Sequence, residues 1–305
     1  MARSLGLIGV PSSMGAFAPG QEKTPQALRA AGLVERLAAA GVAVVDHGDA
    51  AVRRWRPDRD RPEAQNLGAV VEVVAETAGR VRQAVAAGQT PLVLGGDCTV
   101  ELGTVAGHLP TAERLALIYF DLHPDLNVPS RSQPGALDWM GLAHLLGEPE
   151  ATPELSRFGP RVPLLAPEQV LLFAAGPEQT TSWEQATSER LGLRVVPVDR
   201  VRADHEAAAA AALAALEPNC DRLLVHFDVD VVDFTDLPLS EETGRNQGLP
   251  FAAAMRALGV LLASPKLGAL TVTELNPDHG AAAGSTVAAF VDGLSRALAG
   301  TSFSA

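Results

Sequence analysis

Acidic and imidazole side chains alternate in two short segments, each placed directly after an apolar run. The first segment carries Asp121, His123 and Asp125, and the second carries Asp228 and Asp230. In extended chain, residues two apart project to the same side, so each segment presents its ionisable groups on one side of a strand end. Five such groups meeting at one place would repel one another unless one or two divalent cations lay between them. The pattern therefore predicts a metal site.

A structural explanation of the same residues is that the aspartates cap helices and that His123 is a hydrogen-bonded polar residue without a metal. Either explanation fits a single triplet. The second acidic pair at 228–230 and the segment from Glu274 to Pro277 after a third apolar run favour the metal site.

Apolar or β-branched runs alternate along the chain with longer segments of helical spacing, which predicts a parallel sheet with helices on both faces. Strands are expected at 5–10, 42–46, 90–94, 115–120, 170–174, 195–198, 223–227 and 270–275. Helices are expected at 25–39, 67–87, 206–216, 250–262 and 286–298. Because no repeat and no Gly/Ser linker interrupts the alternation, we expect one domain over residues 1–305. The polar clusters at 95–99, 121–125, 228–233 and 274–277 would lie at carboxyl ends of strands, where such sheets bind ligands.

The composition excludes several classes of protein. Hydrophobic residues make up 47% of the 305 residues and charged residues 20%, which is typical of a folded chain. The net charge of −12 argues against a nucleic-acid or anionic-membrane partner. No apolar run approaches the roughly 20 residues of a membrane span. Two cysteines cannot form a disulfide framework, so we expect a cytoplasmic enzyme.

With these motifs in this order, the chain resembles the arginase/agmatinase/formiminoglutamase family of ureohydrolases. The matching segments run along nearly the whole chain and read LGLIGVPSSMG, TPQALRAAGL, VDHGD, GGDCT, DLHPDLN, HFDVDVVDF and TELNPDHG. The resemblance implies a three-layer α/β/α fold around a mostly parallel sheet, usually assembled as trimers or hexamers. It also implies a manganese-dependent hydrolase of guanidino compounds.

The resemblance further implies two metal sites that share two bridging aspartates. One metal would be held by Cys98, Asp121, Asp125 and Asp228, and the other by His123, Asp121, Asp228 and Asp230. Glu274 corresponds to the acid that pairs with the guanidinium of the substrate. Asn127 and Ser132 correspond to positions that bind an α-carboxylate, which favours an arginine-like amino acid over agmatine. A turn-forming role for Asn127 and a plain loop role for Ser132 are the alternatives.

The first departure from the family pattern is Cys98, which stands where the family ordinarily has a histidine. A thiolate binds metals but is soft, whereas Mn²⁺ prefers oxygen and imidazole. We therefore expect weaker manganese binding, a shift toward zinc or iron, or partial occupancy. The alternatives are a buried small apolar residue and a nucleophile that attacks the guanidinium carbon.

The second departure is Asp138, which stands where the family usually has a proton-shuttling histidine. An aspartate of ordinary pKa is a poor acid at neutral pH unless burial raises that pKa. Asp138 could instead recognise a substrate cation or cap a helix over 139–147. Its presence admits an N-hydroxylated guanidine as substrate.

The sequence thus predicts hydrolysis of a guanidino compound, with Asp125 orienting the attacking water and Glu274 holding the guanidinium. The alternative is a catalytically inactive regulatory or binding subunit of the same fold, because two histidines are missing. Retention of every metal-binding aspartate argues against it, since buried carboxylates without a cation are destabilising.

Overall fold

A computed structural model describes residues 4–112, 114–132 and 135–300. Within these residues, eight strands form one parallel sheet in the order β2-β1-β3-β8-β7-β4-β5-β6. The strands are β1 (Leu5–Gly9), β2 (Val44–Asp49), β3 (Thr90–Leu94), β4 (Leu115–Phe120), β5 (Val170–Ala175), β6 (Arg194–Pro197), β7 (Arg222–Asp228) and β8 (Leu267–Thr273). The sheet takes strands from the first and the last hundred residues of the chain.

Helices connect the strands and cover both faces of the sheet. They are α1 (Thr24–Ala30), α2 (Leu33–Ala39), α3 (Leu67–Ala86), α4 (Val100–His108), α5 (Gly141–Leu145), α6 (Pro153–Ser156), α7 (Ser182–Leu191), α8 (Val198–Ala203), α9 (His205–Leu216), α10 (Phe251–Leu262) and α11 (Ser285–Ala299). Short 3₁₀ turns lie at Gln21–Lys23, Leu109–Thr111, Asp138–Met140, Pro167–Gln169, Glu217–Asn219, Val229–Val231 and Pro277–His279. The predicted three-layer α/β/α fold is confirmed. The described helices include none long and apolar enough to cross a bilayer.

Alternate residues of the central strands pack into two separate cores, one on each face of the sheet. Along β4, Ala116, Ile118 and Phe120 pack into one core, while Leu115, Leu117 and Tyr119 pack into the core on the other face. Every residue of β4 is buried, which is why the strand reads as a continuous apolar run in the sequence. Burial on both faces fixes the register of the strands and therefore the positions of the residues at their ends.

All eight strands were predicted, and the majority of their ends lie one to three residues from the predicted positions. The helix expected over 25–39 is two helices, because Gly32 adopts a left-handed conformation with φ of 84° between them. Four of the described helices were not predicted: α4, α6, α7 and α8. In α4, glycines lower the helical propensity, but Gly103 and Gly107 lie directly against α3, where a methyl group at Gly103 would come within 2.6 Å of Thr77. The helix α7 begins at a capping box formed by Thr181 and Glu184.

The strand order brings together the four strands that precede the polar clusters. β3, β8, β7 and β4 are consecutive neighbours in the sheet and all run parallel. The carboxyl ends of these strands therefore meet at one edge, and the residues that follow them share one site.

Candidate metal centre

A narrow cleft opens at the carboxyl edge of these four strands. Carboxylates from several separate segments dominate its lining. The lining residues are Phe17, Cys98, His123, Asp125, Asp138, Trp139, Asp228, Asp230, Glu242 and Glu274. Asp121 lies beneath the cleft with 1% of its surface exposed. The structure thus gathers all six sequence-predicted ligands, together with Asp138 and Glu274, in one place.

The backbone reaches this arrangement through unusual local conformations. Asp125 and Glu274 are non-glycine residues with positive φ, of 50° and 58°. Such conformations cost of order 1–3 kcal/mol and persist only where the surrounding structure requires them. Gly96 is needed for close approach, because a methyl group there would lie 1.8 Å from the carbonyl oxygen of Ser12. The loop that carries Cys98 is therefore held tightly against the β1 end.

In Asp121 and Asp228, one carboxylate oxygen caps a turn, as the structural explanation requires. The other oxygen is available for a metal. Asp121 Oδ1 accepts the His123 backbone N–H at 2.6 Å, and Asp228 Oδ1 accepts the Asp230 N–H at 2.7 Å. These bonds hold the short turns after β4 and β7. The other oxygens face inward. Among the described residues, Asp121 Oδ2 has no hydrogen-bond partner, although it is buried.

One group of ligand atoms lies nearer the solvent, and we term it the outer cluster: Asp121, His123 and Asp230. The distance from His123 Nδ1 to Asp230 Oδ2 is 2.7 Å, and that to Asp121 Oδ1 is 3.6 Å. The His123 side chain retains 29% of its exposure. These are three of the four ligands that the resemblance implies for the second metal.

The other group is fully buried, and we term it the inner cluster: Cys98, Asp121, His226 and Asp228. Cys98 Sγ lies 3.1 Å from Asp228 Oδ2 and 3.5 Å from His226 Nε2. His226 Nε2 lies 3.9 Å from Asp121 Oδ2. Three members are predicted ligands of the first metal. His226, in contrast, is not among the ligands that the resemblance implies.

The two clusters differ in electrostatics. In the outer cluster, burial opposes the charge on His123, but Asp230 and Asp121 raise its pKa well above the ordinary value. The pKa of Asp230 is lowered despite burial, chiefly because of the facing imidazole. In the inner cluster, burial and then the charge of Asp228 raise the pKa of Cys98 well above its usual range. Burial and the neighbouring carboxylate of Asp230 likewise raise the pKa of Asp228.

These donors fit a pair of divalent cations. Burial and the nearby Asp230 raise the pKa of the shared Asp121 to about 6, which is the response of a carboxylate that lacks a compensating charge. Asp230 Oδ1, like Asp121 Oδ2, is buried without a hydrogen-bond partner in the described chain. Carboxylate, imidazole and thiolate donors together are typical of transition-metal sites.

Asp125 lines the cleft but belongs to neither cluster. Its Oδ2 accepts the hydroxyl of Tyr119, which is itself stacked on His226 with ring centroids 4.1 Å apart. Glu274 is held on both oxygens, since Oε1 accepts the Cys98 N–H at 2.8 Å and Oε2 accepts from Gln21 Nε2 at 3.0 Å.

Asp138 faces the cleft but does not cap a helix over 139–147. It lies within the 3₁₀ turn Asp138–Met140, for which Leu137 is the N-cap, and the following α-helix covers only Gly141–Leu145. Burial, and then the charges of Glu274, Asp97 and Asp125, raise the pKa of Asp138 well above its usual range.

Asn127 and Ser132 lie on the loop after Asp125, outside the ring of residues that line the cleft. Asn127 Oδ1 accepts from the Thr181 hydroxyl at 3.5 Å, and Ser132 Oγ is buried without a partner in the described residues. Residues 133 and 134 of the same loop lie outside the described residues. Glu184, which sequence reasoning missed, holds this loop by accepting the Leu126 N–H at 3.1 Å.

The sequence analysis also did not identify Glu242, which lines the cleft, or His226 as a member of the inner cluster. A signal for His226 was present, because it precedes Asp228 by two residues and so extends the alternation of Asp228 and Asp230 one step down the strand. No strand or helix periodicity in the sequence indicates Glu242, because it lies in the irregular segment between β7 and α10.

Comparisons with known proteins agree with this geometry. A family model described as the arginase family matches residues 3–299. The arginase of Bacillus caldovelox is 30% identical over 278 residues, which cover 90% of this chain and 91% of that protein. Its native structure at pH 5.6 superposes with a TM-score of 0.83 at 28% identity, covering 96% and 97% of the two chains. The formimidoylglutamase of Bacillus subtilis, at 18% identity and a TM-score of 0.76, shares the fold over 98% and 87% of the two chains.

Proposed function

The chain belongs to the arginase family, and from that premise we propose that it is a metal-dependent hydrolase of a linear guanidino compound. The observation that carries the proposal is the convergence of both ionisable clusters on one acidic cleft. Two divalent cations held by these clusters would supply Lewis acidity and lower the pKa of water, which removes the need for a strong side-chain base. We propose manganese as the metal, with zinc or iron as the ions that Cys98 would favour.

The reaction that we propose adds water to the guanidino carbon. The bond between that carbon and the alkyl nitrogen then breaks, and the nitrogen leaves with a proton as an amine, while the carbon leaves in urea. With an N-hydroxylated guanidine, the second product would be the corresponding urea analogue.

Side chains of the cleft would position the substrate. The carboxylate of Glu274 is fixed by Cys98 N–H and Gln21, so it can receive a planar guanidinium at little entropic cost. Phe17 and Trp139, whose ring centroids lie 5.7 Å apart, form an aromatic wall against which a delocalised cation can pack. Asp125, oriented by Tyr119, would hold the attacking water by a hydrogen bond.

Asp138 would give its proton to the leaving nitrogen. An aspartate of ordinary pKa is ionised at neutral pH, but the burial of Asp138 among carboxylates favours the protonated form. The departure from histidine at this position is therefore compatible with catalysis. Glu242, which also lines the cleft, adds a further acidic group that favours a cationic substrate.

We propose an arginine-like amino acid or its N-hydroxylated derivative as the substrate. The buried Ser132 hydroxyl lacks a partner in the described chain, and Asn127 engages Thr181 through its oxygen, which leaves its NH₂ group as a donor. Two donors on the loop beside the cleft suit an α-carboxylate. We further propose that a single domain over residues 1–305 assembles as a homotrimer or hexamer in the cytoplasm.

The test is release of urea, or of the matching product, from a panel of guanidino and formimino compounds. Arginine, agmatine, guanidinobutyrate, N-hydroxyarginine and formiminoglutamate would each be assayed with added Mn²⁺ or Zn²⁺. We expect turnover of arginine or N-hydroxyarginine that Ser132→Ala weakens through KM, while Ser130→Ala on the exposed part of the same loop leaves KM unchanged. A metal-loaded protein that hydrolyses none of the five would contradict the proposal and support an inactive subunit.

A further inference from the structure

We infer that His226 is a metal ligand of the inner cluster and that Glu101 holds its ring in the ligating orientation. The inference rests on the proposed metal centre and assigns a donor that the motifs do not supply. Cys98 occupies the position of an expected imidazole, and the structure places the imidazole of His226 beside its sulfur.

Distances between the donor atoms fit one ion. Donors bound at about 2.0–2.3 Å from a tetrahedral ion lie about 3.3–3.8 Å from one another. In the inner cluster the corresponding separations are 3.1 Å from Cys98 Sγ to Asp228 Oδ2 and 3.5 Å from Cys98 Sγ to His226 Nε2. The separation from His226 Nε2 to Asp121 Oδ2 is 3.9 Å. A thiolate, an imidazole and two carboxylates therefore surround a volume of the size that a small divalent cation requires.

The register of the sheet holds His226 in this position. It pairs with Tyr119 on β4 and Thr271 on β8, and its ring stacks on Tyr119 at an interplanar angle of 2°. His226 is fully buried. A ring packed in this way has little freedom to turn Nε2 away from Cys98 and Asp121.

Glu101 faces the other ring nitrogen, which has no hydrogen-bond partner within the described residues. It lies in the first turn of α4 with 1% of its surface exposed, and its Oε2 is 3.5 Å from His226 Nδ1. Neither carboxylate oxygen of Glu101 has a hydrogen-bond partner within the described residues. A buried carboxylate with no other task is costly, whereas a carboxylate behind a histidine fixes the tautomer and increases the basicity of the ligating nitrogen.

The competing arrangement is an ordinary polar network. Thr273 Oγ1 lies 3.3 Å from His226 Nε2 and could donate to it in place of a metal. That arrangement leaves Asp121 Oδ2, buried 3.9 Å from Nε2, without compensation. A metal ion would bind both His226 Nε2 and Asp121 Oδ2, whereas the Thr273 hydroxyl would satisfy only Nε2.

The first test measures metal content and affinity without using activity. We expect His226→Asn to keep the outer ion and to bind the inner ion 10–100-fold more weakly by chelator competition, and Glu101→Gln to weaken the same ion in the same range. His108→Asn is the matched control, because His108 is also a buried histidine but bonds the carbonyl of Gly268 away from the clusters. Unchanged affinity for both ions in His226→Asn would overturn the inference.

The second test does not depend on the folding of a His226 variant. In His123→Asn, the imidazole of the outer cluster is gone, so one bound Co²⁺ should show both sulfur and imidazole scattering in its X-ray absorption spectrum. A sulfur ligand without imidazole, or a bound ion with neither, would overturn the assignment of His226. Wild-type protein that binds no metal would instead contradict the proposed function itself, which keeps the two failures distinct.

Discussion

In the outer cluster, the imidazole of His123 lies between two carboxylates and keeps 29% of its exposure, whereas in the inner cluster every donor is buried and the two carboxylates face a thiol and the imidazole of His226. The outer cluster can balance its own charge, because a protonated His123 pairs with Asp230 at 2.7 Å. The inner cluster has no such close ion pair among the described residues, since His226 Nε2 lies 3.9 Å from Asp121 Oδ2. The comparison indicates that the outer cluster can persist without metal, while the inner cluster depends on an ion for its charge balance.

The largest effect should come from the residue that the two clusters share. Asp121→Asn keeps the hydrogen bond to the His123 N–H but removes the charge and one ligand from each cluster. We expect loss of both ions and a fall in turnover of about 10³-fold or more, since little nucleophilic water forms without metal. Metal analysis and steady-state kinetics would check this, with Asp233→Asn as a control at an aspartate after β7 that belongs to neither cluster. Retention of either ion at full affinity would contradict the assignment of Asp121 as a ligand of both clusters.

A second effect should follow at Asp138, a cleft residue that belongs to neither cluster. Asp138→Asn removes the proposed proton donor, so kcat should fall by about 10²–10⁴-fold while both ions stay bound. The measurement is kcat alongside metal content, using a substrate with a good leaving group as a second probe. The defect should shrink with that substrate. A loss of metal in Asp138→Asn would show that Asp138 supports the clusters rather than the leaving group.

The two clusters should respond to different extents to mutation when metal is removed. In chelator-treated protein, His123→Asn leaves Asp230 without its ion pair and should lower the free energy of unfolding by about 1–2 kcal/mol, a value reduced by the partial exposure of His123. Cys98→Ser should change the same free energy by less than about 1 kcal/mol, because it breaks no ion pair. Urea unfolding with and without metal would measure both. Equal losses in the metal-free state would contradict the difference between the clusters.

The smallest effect concerns a histidine at the opposite edge of the sheet. Burial and the nearby Arg222 lower the pKa of His108 to about 4, although its bond to Gly268 O opposes this. Between pH 6.5 and about 4 the unfolded chain binds a proton that the folded chain excludes, so stability is lost as the pH falls through this window. His108→Gln should reduce that slope by up to about 1 kcal/mol per pH unit, measured by urea unfolding from pH 7 to pH 4. An identical slope in the variant would contradict the claim that the folded protein keeps His108 neutral.

The sequence predicted the parts of the fold that depend on short-range patterns. The strands were predictable because both faces of the central sheet are buried, as the continuous apolar run of β4 illustrates. The helix α4 was not predictable, because close packing of Gly103 on α3 outweighs poor helical propensity.

The same distinction applies to the site. Asp121, His123, Asp228 and Asp230 were predictable because each pair lies two residues apart at a strand end. The contact between His226 and Glu101 joins residues 125 positions apart and depends on how α4 packs on the sheet, so no local pattern reveals it. The roles of Asn127 and Ser132 depend on a loop conformation that the sequence does not specify, and they stay predictions.

The most direct test of the account is the number of ions that the folded chain binds. After saturation with Mn²⁺ or Zn²⁺ and removal of excess metal, native mass spectrometry should find two ions per wild-type chain, one in Asp230→Asn and none in Asp121→Asn. A folded wild-type chain that binds no ion of either kind, with an unchanged melting temperature in both metals, would contradict the central claim.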